Sequence, residues 1–264
     1  MSVATTTRHA FRGGDLAVAE VGNGEPVGYL HGFVGSPSGQ PFPAALAGHG
    51  LRVVAPSLPG FTGSSACADI RSLHDWIVAT SEVLDVAGLA GGPVVASSIG
   101  AMLALEVACV RPEAFSALVL VAPLGLFDVD DPVADPYATT LSAQRALLTA
   151  DPAVTAPFYD DDPSLAGAAL VEHGVERYLT RMSAASLVWP IPEFGLSTRL
   201  HRVGCPVTLV WGAEDRLNPV SYAERWRAAL PGEVEVHIVD GAGHLAEWDC
   251  PAEVAEIAAA ALRP

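Results

Sequence analysis

A serine that attacks a carbonyl needs a base to take its proton and a carboxylate to hold that base, and the three can lie far apart in the chain. Ser98 is placed for the first role. It sits in Ala96-Ser97-Ser98-Ile99-Gly100. Ser97 is its rival, but a Gly-x-Ser-x-Gly pattern puts the nucleophile two residues after the first small position and two before the last. Only Ser98 satisfies both. Among eight histidines, His244 alone ends a Gly-x-Gly-His run behind a late apolar segment. Asp215 ends Trp211-Gly-Ala-Glu-Asp215, and it competes for the carboxylate role with Glu214 and with the Asp128, Asp130 and Asp131 cluster. The chemistry implied is acyl transfer, with Ser98 Oγ as nucleophile and the imidazole as base.

Such residues must be held by rigid elements. Residues 93–96 read as a short buried strand and 99–108 as a helix buried on most sides, with no loop between them. Reversing from strand to helix in so few residues forces a strained turn, and only small side chains fit around it. The Ser98 hydroxyl then stands at the apex, at the positive end of the helix, and the Ile99 N–H faces an incoming oxyanion. Residues 206–212 form a buried strand with Asp215 just past its C-terminal end. Residues 234–240 form another, followed by Gly241-Ala-Gly-His244. Further strands are expected over 15–21, 27–30, 51–55 and 117–121, and helices over 70–89, 222–230 and 251–262.

In chain order the chain carries His31-Gly32-Phe33, Pro59-Gly60-Phe61, Ala96-Ser-Ser-Ile-Gly100, Trp211-Gly-Ala-Glu-Asp215 and Gly241-Ala-Gly-His244. With the order serine, acid, histidine, this resembles the α/β-hydrolase superfamily throughout its length. The resemblance implies an α/β fold, a mostly parallel eight-stranded sheet flanked by helices, with Ser98, Asp215 and His244 as catalytic residues. Asp215, fourth counting from Gly212, is preferred over Glu214. The oxyanion would be held by the backbone N–H groups of Phe33 and Ile99, and the His31 side chain would be structural, bonding nearby loops. One departure is Ser57-Leu-Pro-Gly-Phe-Thr-Gly-Ser64, where the family commonly shows Asp-x-Pro-Gly-x-Gly-x-Ser. It touches loop architecture more than chemistry.

Residues 124–198 break the strand–helix alternation. They match the helical cap that many of these hydrolases place over the nucleophile, dividing the chain into a core of 1–123 plus 199–264 and a cap of 124–198. Helices are expected at 142–150, 164–173 and 175–186, with Trp189-Pro190-Ile-Pro192 closing the segment. Phe33, Val34, Tyr159, Met182, Trp189 and Leu245 are the expected pocket residues.

Composition bounds the rest. The 264 residues allow one sizeable core, and a net charge of −16 with no lysine disfavours nucleic acid and anionic membrane. The segment 1–12 has no apolar stretch of a secretory signal, which points to the cytoplasm. The four cysteines, Cys67, Cys109, Cys205 and Cys250, have no ligand spacing and read as packing residues. No metal or cofactor motif is present, so the partner expected is a small-molecule substrate, with a homodimer as one option for assembly. The reading is a cytoplasmic carboxylesterase-like serine hydrolase of a small, largely apolar ester, lactone or thioester. Its rivals are a carbon–carbon bond hydrolase of ring-fission products, suggested by the cap and Trp248, and a low-turnover binding protein on the same fold. A carbon–carbon hydrolase would need a cation for its substrate's carboxylate, and Arg145, Arg177, Arg181 and Arg199 are the arginines in or beside the cap.

Overall fold

The computed structural model describes residues 4–35, 40–65, 69–189 and 194–262. Cys67 and residues 190–192 fall outside these. Eight strands form one sheet: β1 (Thr5–Phe11), β2 (Gly14–Val21), β3 (Glu25–Leu30), β4 (Leu51–Pro56), β5 (Gly92–Ser97), β6 (Phe115–Val121), β7 (Val207–Gly212) and β8 (Val234–Val239). Their order is β1-β2-β4-β3-β5-β6-β7-β8. The pairs β1–β2 and β2–β4 are antiparallel, and the strands from β4 across to β8 run parallel.

Buried parallel strands turn apolar residues to both faces, and here the two faces are sorted by residue type. On one, Val95, Val119, Val121 and Val210 pack with α1 (Phe42–Ala47) and α9 (Pro251–Ala261). On the other, Val94, Ala96, Leu118, Leu120 and Leu209 pack with α2 (Leu73–Val86), α3 (Ser98–Val110) and α7 (Ser221–Ala229). Helix α3 buries every residue from Ser98 to Cys109, which is why it is apolar all round and not striped. Helix α2 opens on Ser72, whose Oγ accepts from the Asp75 N–H.

Two elements escape the sequence pattern. Strand β1 is threonine-rich and almost wholly exposed, so it shows no apolar alternation. It forms because it pairs in full register with β2 through a two-residue turn, Arg12 at φ 45 and Gly13 at φ 75. Positive φ at both positions matches the right-handed twist of a hairpin. The strained arginine is held by Glu82 and Asp69. The short α1 is the other.

No strand lies between β6 and β7 among the described residues. The chain there folds as α4 (Leu141–Leu148), α5 (Ala156–Tyr159), α6 (Ala168–Val188) and single 3₁₀ turns. The two helices expected at 164–173 and 175–186 are one helix, α6, running through Gly174. An interior glycine weakens a helix by about 1 kcal/mol, and burial of Thr180, Ala184, Leu187 and Val188 on one face outweighs that. No described helix is long and apolar enough to cross a membrane.

Candidate active site

Four loops leave the C-terminal ends of parallel strands at one edge of the sheet: His31–Gly35 after β3, the Ser97–Ser98 turn after β5, Ala213–Asp215 after β7 and Gly241–His244 after β8. Residues far apart in sequence meet there because parallel strands all point the same way.

Ser98 has φ 52, a left-handed backbone that a non-glycine residue adopts only under constraint. The constraint is packing. A Cβ on Gly100 would lie 2.4 Å from His31 O and 2.7 Å from Leu30 O, so the helix start is pressed against the end of β3. Ser98 Oγ lies 2.7 Å from His244 Nε2, and His244 Nδ1 lies 2.8 Å from Asp215 Oδ2. The second carboxylate oxygen, Oδ1, accepts from the N–H groups of Leu217 and Asn218 at 2.9 and 2.8 Å. Asp215 is therefore fixed as an acceptor, so His244 carries its proton on Nδ1 and offers Nε2 to the hydroxyl. The side chains of Asp215 and His244 and the whole of Ser98 are buried.

The competing residues are elsewhere. Glu214 pairs with Arg216 at the surface, Asp128 and Asp131 pair with Arg225, and His237 sits beside Glu235. The Ser97 side chain lies by Glu247.

The loop after β3 approaches closely. A Cβ on Gly32 would meet Ser98 Cβ and Ser97 Oγ at 3.1 Å and Leu245 Cδ2 at 3.0 Å, which is why the residue is glycine. His31 holds this loop. Its Nε2 accepts from the Leu58 N–H at 2.9 Å and its Nδ1 lies 3.1 Å from Gly32 O. An imidazole that must accept at Nε2 is neutral, and burial lowers its pKa to about 4. Among the described residues, the N–H groups of Phe33 and Ile99 have no acceptor of their own. Two free donors beside a hydroxyl–imidazole–carboxylate chain are what acyl transfer requires.

Of the expected pocket residues, Phe33, Val34 and Leu245 are buried here. The Phe33 ring lies 6.0 Å from the His244 ring and 6.2 Å from Tyr137. Tyr137 is one of the aromatic residues of 124–198, the segment expected to supply part of the pocket. Tyr159 bonds Gln144 and stands with Tyr137 near Arg181. Met182 and Trp189 are a correction. They are 48% and 58% exposed: Met182 lies on the side of α6 opposite Thr180, Ala184 and Leu187, and Trp189 follows the helix in extended backbone. Among the described residues no group of histidine, cysteine or acidic side chains could hold a metal ion.

Comparison with known proteins agrees with this fold. The chain is 27% identical over 249 residues to a 2-hydroxy-6-oxo-6-phenylhexa-2,4-dienoate hydrolase of Burkholderia cepacia, spanning 87% of this chain and 85% of the relative. It is 29% identical over 228 residues to lipase LipV of Mycobacterium tuberculosis, spanning 81% and 84%. A meta-cleavage product hydrolase from Pseudomonas fluorescens IP01 superposes with a TM-score of 0.74 at 16% identity, covering 96% of each chain, and supports the fold alone. Residues 29–257 match the model of the alpha/beta hydrolase family, a span that takes in the glycine loop, the serine turn, Asp215 and His244, and the chain belongs to that family.

Proposed function

We propose that this hydrolase cleaves a small, largely apolar carboxylic ester, lactone or thioester through an acyl-enzyme. The observation that carries the proposal is the unbroken chain Ser98 Oγ, His244, Asp215 behind a strained serine at a helix start. Ser98 Oγ attacks the carbonyl carbon while His244 Nε2 takes its proton. Asp215 holds the imidazolium that forms. The oxyanion lies against the N–H groups of Phe33 and Ile99, each worth about 10²–10³ in rate. The protonated imidazole then gives its proton to the leaving group. A water attacks the acyl carbon with the same imidazole as base, and the acid is released. Phe33, Val34 and Leu245 offer an apolar wall for the acyl chain. In this reading residues 124–198 act as a cap, and because Ser98 and His244 are sealed from solvent the cap must shift to admit substrate. Free thiols at Cys109, Cys205 and Cys250 accord with a cytoplasmic setting.

One observation favours carbon–carbon cleavage as a second reading. Of the four arginines in or beside this segment, three are neutralised: Arg145 by Asp160, Arg177 by Asp161 and Arg199 by Glu106. Arg181 has no carboxylate partner among the described residues and acts on Tyr137 and Tyr159. A buried substrate carboxylate needs such a cation, whereas a neutral ester does not. The ester reading ranks first because the buried residues Phe33, Val34 and Leu245 on the loops at Ser98 are apolar, whereas Arg181 acts on Tyr137 and Tyr159. A chain-length series of nitrophenyl esters, run beside a vinylogous diketo acid, tests it. Efficient ester turnover that Arg181→Ala changes only a few-fold supports the first reading. Efficient diketo-acid cleavage with negligible esterase activity, lost in Arg181→Ala, replaces it with the second.

A further inference from the structure

A second carboxyl lies behind the serine turn, and the mechanism above does not use it. Glu247 stands on the short helix α8 (Ala246–Asp249), three residues after His244, and is wholly buried. Tyr29 Oη donates to its Oε1 at 3.2 Å and itself accepts from Gln40 Nε2 at 2.6 Å. Its other oxygen, Oε2, has no partner among the described residues, and neither has the hydroxyl of Ser97. The Ser97 side chain lies within reach of the Glu247 carboxyl. Ser97 directly precedes Ser98, and Tyr29 lies in β3, the strand that leads into the oxyanion loop. Glu247 thus lies beside the strand that leads into the oxyanion loop, the serine turn and the His244 loop.

The charge state follows from what surrounds it. Tyr29 from β3 and His244 from its own loop are the titratable groups that face it. Strand β5 brings only Ser97, and β7 brings no ionisable side chain. In α9, Glu253 and Glu256 are exposed. Asp249, on the same turn, is directed to the N–H groups of Ala150, Asp151 and Gly243. Among the described residues no arginine reaches the site, and a bare carboxylate buried without a cation is strongly disfavoured. Burial accordingly raises the Glu247 pKa. The neutral acid has one O–H to donate and an oxygen to accept with, which matches one unsatisfied hydroxyl and one tyrosine.

We propose that Glu247 is a positioning residue held as the neutral acid, whose O–H donates to Ser97 Oγ while Oε1 accepts from Tyr29, fixing the serine turn, the oxyanion strand and the His244 loop in one register. This rests on the reading of Ser98 and His244 as nucleophile and base. Ionisation at alkaline pH would reverse the Ser97 bond, the hydroxyl then donating to the carboxylate, and leave an uncompensated charge beside the imidazole. The test is kcat and KM for a nitrophenyl ester across pH, in the wild type, Glu247→Gln and Glu247→Leu, with thermal unfolding measured in parallel. The glutamine can make both bonds without titrating. It should hold kcat within about threefold at neutral pH and abolish the alkaline fall in kcat expected of the wild type. Glu247→Leu should lower kcat by about 10- to 100-fold with KM changed less than about threefold, the signature of lost alignment. If the leucine variant does not fold, Ser97→Ala should show the same split. A Glu247→Gln enzyme whose acidic limb moves by a pH unit or more would overturn the proposal, since Glu247 would then act as a second charged partner of His244. So would an unchanged alkaline limb in Glu247→Gln, or full kcat in a folded Glu247→Leu. A Ser98→Ala enzyme that keeps its activity would instead break the underlying reading, a separate result.

Discussion

The end of β5 and helix α6 are both apolar stretches near the site, yet they are held by different forces. Around Ser98 every neighbour is buried, backbones touch at distances that only glycine allows, and a φ of 52 is enforced by its surroundings. Helix α6 buries one face and leaves Val171, Val175, Tyr178, Leu179 and Met182 about half exposed. It meets the loop below through a few hydroxyls. Thr180 Oγ1 accepts from the Thr62 N–H at 3.0 Å and lies 2.9 Å from Thr62 Oγ1, and Ser183 Oγ donates to Gly60 O at 2.8 Å. Close packing fixes the atoms that would react. Weak, exchangeable polar contacts hold helix α6 to the loop at Gly60 and Thr62, and in the proposed reading, where α6 belongs to a cap, such contacts open for substrate at little cost.

The largest effects should come from the tightly packed region. Ser98→Ala and Asp215→Asn should each lower ester turnover by about 10⁴-fold or more while far-ultraviolet circular dichroism stays unchanged. A near-silent Asp215→Asn would move the acid to Asp128, Asp130 or Asp131. Gly100→Ala should destabilise by about 3 kcal/mol or more, read by urea unfolding, because its Cβ has only backbone carbonyls to push against.

His31 sets a comparable effect through pH. Its folded-state pKa of about 4 lies below the ordinary 6.5, so between those values the unfolded chain binds a proton that the folded chain refuses. The stability this contributes is complete above pH 6.5 and is lost as pH falls, by about 3 kcal/mol once pH is below 4. His31→Gln, which retains an acceptor for Leu58, should flatten that slope in unfolding curves taken between pH 7 and 4.

Smaller effects belong to α6. Thr180→Val combined with Ser183→Ala should change kcat/KM by about three- to tenfold and stability by about 1–2 kcal/mol, since each hydroxyl contact is worth about 1 kcal/mol. A loss of 10³ would mean that the two regions are equally rigid. Met182→Ala should change kcat/KM less than about twofold, as expected of an outward side chain.

Much of the core could be read from sequence. The strands from β2 to β8 carry apolar runs ended by turn residues, and Ala96–Gly100 and Gly241–His244 mark the two turns that must be tight. Strand β1 was hidden because an exposed edge strand has no apolar alternation to show, and α6 was split at Gly174 because a single glycine looks like a break until a buried face overrides it. Met182 and Trp189 were assigned to the pocket on size and polarity, which carry no direction. A helix that is apolar on both sides does not say which side faces in.

The sequence by itself determined the class of fold, the order of Ser98, Asp215 and His244, and the glycines that let their loops approach, because these depend on local backbone geometry and on strands of fixed direction. Only the tertiary structure decided that Tyr137 stands beside Phe33, that Arg181 has no carboxylate partner among the described residues and that Glu247 lies near Ser97. Each of these is a meeting of side chains from elements distant in the chain, and its geometry is set by packing that no local pattern encodes.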